Sequence, residues 1–404
     1  MIRASLLALC GFLAIPTHAE ISVKDWKEDL QFLARELPAR HKNLYHRISK
    51  ERFDAEVKRI DGSLAGMRVD EIRVALARLL ALAKNGHTRI QAFGDGPRYP
   101  IVFREFVDGT YVVRADAEHA EAVGAKLVSI AGVPTAEARS RVLPLVPMET
   151  PLMAPVHVPG LLRNHYALRG TNIVKDEGPA EFVLERDGRS LAIRIAALPG
   201  SETPKLQGPA ITPPMYLSDP VTAYWYRYLE GPRALYIQYN SCRNMKQLSF
   251  ADFTRQVMEV ADRRPVETVI IDLRHNGGGD SEVINPLVEA LRGRPALRRK
   301  GRLFVLTSAN TYSSGLLDAW RLRKLLHARV AGEASSQRPN TYGDVRYFEL
   351  PNSKLRVDYC TKYFRIVSGD PDALPVDLPV PLTAGDYFAG RDPVLERVLA
   401  TGRP

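Results

Sequence analysis

Cysteine is scarce in this chain: three residues among 404. Cys10, Cys242 and Cys360 are too few for a disulfide-stapled scaffold and too widely spaced for a thiolate metal site. HExxH is missing, GxxxxGK[ST] is missing, and the glycine spacing of a dinucleotide-binding turn is absent. Neither a metal nor an organic cofactor is therefore expected. Beyond the amino terminus no run reaches the roughly 18 apolar residues that an internal membrane span requires. Disorder and collagen-like repetition are excluded by a composition that is 45% hydrophobic and 25% charged. The chain is basic, with 56 Lys and Arg against 46 Asp and Glu and a formal charge of +10. That charge is spread out. Its densest cluster, Arg292, Arg294, Arg298, Arg299, Lys300 and Arg302, has no zinc-finger or aromatic-basic pattern beside it. Nucleic acid is not the expected partner; a solubilising surface, attracted at most to anionic envelope components, is.

What is present begins with an address. Met1, Ile2 and Arg3 give a short positive start, residues 4–15 are apolar, and Thr17-His18-Ala19 ends on a small residue. This is the pattern of a secretory signal peptide over residues 1–19. Its removal leaves about 385 residues, room for two or three domains, and a charge of about +9. The expected location is periplasmic or secreted. In such an oxidising compartment Cys242 and Cys360 either form one disulfide or remain two buried thiols.

Residues 20–90 read as a helical subdomain: Trp26, Leu30, Leu33 and Leu37 recur at spacings of three and four, and residues 74–82 form a denser apolar helix. Asn85-Gly86 ends it, and His87-Thr88 follows. Residues 91–200 read as a β-rich module. Short strands are predicted at 101–106, 111–113 and 126–130, and a hairpin at 182–195 turns on Asp187-Gly188. Prolines make residues 140–180 extended and irregular in this reading, and residues 201–233 a linker, with Tyr224, Trp225, Tyr226 and Tyr228 packing at its junction or holding peptide. From residue 234 strands and helices alternate, which predicts a layered α/β core over 234–404 with its chemistry at strand ends.

Two motifs lie at such ends. After the predicted 303–307 strand comes Thr311-Tyr312-Ser313-Ser314-Gly315, opening a helix. A serine there is either a helix N-cap or a nucleophile whose oxyanion sits near the positive end of the helix. The apolar 266–273 strand runs into Asp272-Leu273-Arg274-His275-Asn276-Gly277-Gly278-Gly279. Three glycines make either a tight turn or an exposed backbone whose N–H groups can hold an oxyanion.

Together the two motifs resemble the C-terminal processing peptidase family, which includes the tricorn core domain. Asp272, Arg274, Asn276, Gly278 and Gly279 match its D-x-R-x-N-x-G-G element, and Thr311 and Ser313 match its T-x-S element. The resemblance implies an α/β core of the ClpP/crotonase-like, processing-peptidase type, with Ser313 rather than Ser314 as nucleophile. It implies an oxyanion hole from the N–H of Ser314 and that of Gly278 or Gly279. Residues 124–132 resemble, weakly, part of the family's PDZ-type peptide-binding module.

Many family members carry a base lysine 25 residues after the serine; here Arg338 stands there, and arginine stays protonated. The resemblance is closer to a branch that uses a histidine at the end of the helical region, which selects His87. The acid of that branch matches Asp370, with Asp372 and Glu333 as competitors. Asp377 and Asp392 are read as turn or tether residues. The expected activity is that of an exported serine endopeptidase or carboxy-terminal processing-like hydrolase acting on protein or peptide, through an acyl-enzyme. The alternatives are a noncatalytic peptide-binding or envelope scaffold of the same fold, and an esterase or amidase using the same serine.

Overall fold

A computed structural model describes residues 21–299 and 301–401. The expected leader lies outside the described residues. Among the described residues, no helix is long and apolar enough to cross a membrane.

Three helices, Val23–Arg40, Lys50–Ser63 and Val69–Ala81, come first. Ser22 and Asp25 cap the first reciprocally, and its Trp26, Leu30, Leu33 and Leu37 stripe is buried. The third is buried on most sides. Its Arg73 is inside too, donating to the Ala92 carbonyl at 2.7 Å and to Asp95 at 2.6 Å. This helix delivers the turn at residues 85–88.

An antiparallel sheet follows, built from Ile101–Phe106, Gly109–Ala115, Lys126–Ile130, Ala180–Arg186 and Arg189–Ile195, in that order across the sheet. Residues 140–180 are not extended. Thr135–Val142, Met153–Leu161 and His165–Gly170 are helical. The prolines mislead because Pro155 occupies a first turn, where a missing N–H forfeits no intrahelical bond.

The last sheet has six strands in the order Tyr224–Leu229, Ala234–Tyr239, Thr268–Asp272, Leu303–Thr307, Arg329–Gly332 and Leu378–Pro379. All neighbours are parallel except the first pair. Residues 224–229 thus form an edge strand of the core rather than linker. Tyr224 packs on Phe250 and Phe253, with ring centroids 4.9 and 4.7 Å away. Side chains alternate between faces as a pleated strand requires. Leu235, Ile237, Val269, Ile271 and Val305 meet the helices Phe250–Arg263, Asn285–Arg292 and Ser314–Leu326, while Tyr236, Ile270, Phe304 and Leu306 meet Pro393–Thr401.

A third sheet was not expected from the sequence. Thr341–Glu349 and Arg356–Phe364 form a long hairpin, and Arg89–Ile90 pairs with its second strand. It ties the helical subdomain to the core beside the residue 85–88 turn. Cys360 lies in this hairpin and Cys242 in the core; both are buried free thiols, so no disulfide joins them.

Arg274 is buried at the end of the Thr268–Asp272 strand. Its guanidinium donates to Asp272, at 2.5 Å from Nη2, and to Asp392, at 2.8 and 2.7 Å. Asp392 also accepts from the Leu395 N–H at 3.0 Å, capping the last helix. One carboxylate thus tethers the C-terminal helix to the glycine turn. Truncating one member of a buried ion network strands the others without solvent. Asp392→Ala should lower the unfolding free energy by about 3 kcal/mol. Urea denaturation measures this; a loss below about 0.5 kcal/mol would place the network among contacts that contribute little.

Candidate active site

The parallel strands end on one edge, and the two motifs meet there. Thr311 Oγ1 donates to the Leu273 carbonyl at 2.8 Å, Ser308 Oγ to the Arg274 carbonyl at 2.7 Å, and the Tyr312 N–H to the Asn276 carbonyl at 2.9 Å. Ser335 Oγ donates to the Thr311 carbonyl at 2.6 Å, and Gln337 Oε1 accepts the Ser313 N–H at 2.6 Å. The serine corner is therefore fastened on two sides.

Ser313 has φ 53° and ψ −127°. A non-glycine residue pays about 1–3 kcal/mol for such a backbone, which persists only where its surroundings impose it. A strained strand-to-helix corner is also the device that exposes the nucleophile in α/β-hydrolases. The glycine turn reaches it because Gly278 has no side chain: a Cβ there would lie 2.7 Å from Ser313 Cβ, at a φ of +107°.

The N–H of Gly278 is committed to Asn276 Oδ1 at 2.9 Å. Among the described residues the N–H groups of Gly279 and Ser314 make no hydrogen bond. Of the three backbone groups expected at an oxyanion hole, those two are free to donate. Ser314 Oγ is occupied, donating to the Gly279 carbonyl at 2.7 Å.

His87 arrives from the other side, on the turn after the third helix. It lines two cavities, of about 600 and about 330 Å³, and Ser313 lines both. Burial pushes its imidazole down to about 4, with Arg89 acting in the same direction and the Tyr342 carbonyl and Asp358 against it. Its Nε2 is buried without a hydrogen-bond partner among the described residues, and its Nδ1 lies 3.5 Å from Tyr312 Oη. Among the described residues, no hydrogen bond links His87 to Ser313.

The three candidate acids are not brought to His87. Asp370 is held by Arg47 at 2.6 Å and Arg338 at 3.1 Å, and Asp372 also pairs with Arg338. The arginine at the lysine position thus holds both loop aspartates. Glu333 lines a different cavity and faces the Leu382 N–H at 3.5 Å. Asp377 pairs with Arg323 and accepts the Val330 N–H at 2.8 Å, fixing a strand start.

The site also contains groups that the motifs do not name. Gln337 holds the serine backbone; His157 lines the smaller shared cavity and is also pushed down to about 4 by burial. Glu149 is buried beside Gly86, whose N–H it accepts at 3.2 Å. A sequence cue existed for it: between residues 143 and 162 Glu149 is the sole Asp, Glu, Lys or Arg.

No family model matches the chain, and no curated protein matches it significantly. Solved structures do. Mature CPAF complexed with lactacystin is 13% identical, with a TM-score of 0.66 over 94% of this chain and 98% of that one. Mature CPAF alone is also 13% identical, with a TM-score of 0.63 over 93% and 96%.

His87 carries a prediction about pH. Its folded-state value lies below the ordinary 6.5, so unfolding takes up a proton between pH 6.5 and about 4. Wild-type stability relative to His87→Gln should therefore fall as pH drops through that window and be constant above it. Paired urea titrations at about pH 7 and about pH 4.5 measure the difference. An unchanged difference would show that the imidazole is solvated.

At this identity the likeness establishes architecture alone: the chain has a mixed α/β fold of the processing-peptidase type, similar to that of CPAF.

Proposed function

We propose that this protein is an exported serine peptidase in which Ser313 is the nucleophile and His87 the general base. The observation that carries the reading is the strained Ser313 corner, opposite a glycine turn with a free N–H and sharing two cavities with His87. In the proposed reaction His87 Nε2 takes the Ser313 Oγ proton as Oγ bonds to the scissile carbonyl carbon. The Gly279 and Ser314 N–H groups stabilise the resulting oxyanion. The C–N bond then breaks as His87 returns the proton to the leaving amine; water, deprotonated by the same ring, attacks the acyl carbon, and the Oγ–C bond breaks as that proton returns to Ser313 Oγ. A neutral imidazole at physiological pH is the form this needs, and burial keeps it neutral. The ClpP/crotonase-type description of the core and a PDZ-like, strand-adding role for the antiparallel module belong to the same proposal.

One observation favours a second reading. Among the described residues His87 and Ser313 are not hydrogen-bonded, as a noncatalytic peptide-binding protein of this fold would allow. Contacts of this kind often close only with substrate. Digestion of a peptide library by wild type, Ser313→Ala and His87→Ala separates the readings. The peptidase reading expects cleavage that drops by at least about 10³-fold in both variants. Equal turnover in all three would overturn it, and cleavage of acyl esters without peptides would move it to an esterase. Turnover should also persist in mild acid, with its acid limb well below the ordinary histidine value of 6.5. A limb at 6.5 or above would contradict a buried base.

A further inference from the structure

The loop acids leave His87 without an anionic partner, yet a buried carboxylate lies one residue from it in space. Tyr312 Oη sits 3.5 Å from His87 Nδ1, with the rings 4.8 Å apart between centroids. The phenol reaches that place because residue 86 is glycine: a Cβ there would lie 2.1 Å from Tyr312 Oη. The same Gly86 donates its N–H to Glu149 Oε2 at 3.2 Å. Thr341 Oγ1 donates to Glu149 Oε1 and accepts from Asn85 Nδ2 at 3.1 Å. Burial keeps the Tyr312 phenol protonated, and the charge of nearby Glu149 acts in the same direction.

We propose that Glu149 is the positioning acid of this site and that it acts on His87 through Tyr312. Ionised Glu149 only accepts, so the Tyr312 O–H points to it and the phenol lone pair faces His87. The lone pair then accepts from His87 Nδ1–H. That selects the tautomer in which Nε2 carries no proton, the one a base for Ser313 must present. No proton passes to Glu149 or Tyr312; both hold the ring. The other anion near His87, Asp358, is engaged by Arg89 at 3.3 Å and Arg356 at 2.7 Å. The consequence for catalysis rests on the serine peptidase reading, whereas the arrangement itself does not.

The test uses the ¹⁵N-labelled protein. Two-bond ¹⁵N–¹H correlation spectra at about pH 8.5, above the value of about 7 to which burial raises Glu149, report the imidazole tautomer, with His87 assigned by its loss in His87→Gln. Wild type should show the Nδ1–H tautomer, and Tyr312→Phe and Glu149→Gln should each shift His87 toward Nε2–H. An Nε2–H wild type, or a tautomer unmoved in Tyr312→Phe, would overturn the proposal; the latter would assign the role to the Tyr342 carbonyl, which also faces the ring. A shift in Tyr312→Phe without one in Glu149→Gln would overturn the role of Glu149; if Glu149→Gln does not fold, Glu149→Asp, which shortens the reach of the carboxylate, takes its place. With a cleaved peptide in hand, kcat should fall about 10²-fold in Tyr312→Phe at unchanged KM, as for loss of base orientation. A change confined to KM would overturn the positioning role. A tautomer shift in a protein that cleaves nothing would retain the relay and reject the peptidase reading.

Discussion

The site depends on one close approach, that of the residue 276–279 turn to the serine corner. Three glycines make it possible, each at a place where a side chain would collide. A Cβ on Gly278 would meet Ser313, one on Gly279 would lie 2.3 Å from the Cys242 carbonyl oxygen, and one on Gly315 would lie 2.5 Å from the Asn276 carbonyl oxygen. At Gly278 and Gly279 the backbone adds its own requirement, with φ at +107° and +136°. With these side chains absent, three chain segments meet at the strand ends, and the strain at Ser313 is held by the hydrogen bonds of Thr311, Ser335 and Gln337.

Below that contact the charges are buried and paired; above it they are buried and few. Arg274, Asp272 and Asp392 neutralise one another at the base of the turn and fix the last helix to it. Around His87 the solvent is displaced without full compensation. Burial lowers His87 and raises Glu149 to about 7, so the two groups that carry opposite charges in water are both pushed toward neutrality. Perturbed titratable groups of this kind cluster at functional sites.

The core was legible because its information is local. The 303–307 strand, the Ser314–Leu326 helix and the three-glycine turn follow from short-range periodicity and residue type, and they carry most of the proposed chemistry. What was not legible depends on distant packing. Thr341–Glu349 and Arg356–Phe364 carry Asp344, Arg346, Glu349, Arg356, Asp358 and Lys362, charges that obscure alternation on strands with one solvated face. Residues 224–229 looked like linker because prolines precede them, although their partner is only five residues away. For the acid, motif position pointed to Asp370, yet Arg47 and Arg338 claim it from remote elements. Glu149 stands 164 positions before Ser313 and meets the site only through the fold.

The proposed reaction requires Ser313 to be a nucleophile rather than a helix cap. Its most direct test is mass spectrometry of the protein after exposure to a serine-reactive fluorophosphonate, with the adduct located by peptide mapping. A single adduct on Ser313 is expected, formed slowly or not at all in His87→Gln. An adduct on Ser314 or another serine, with Ser313 unmodified, would contradict it.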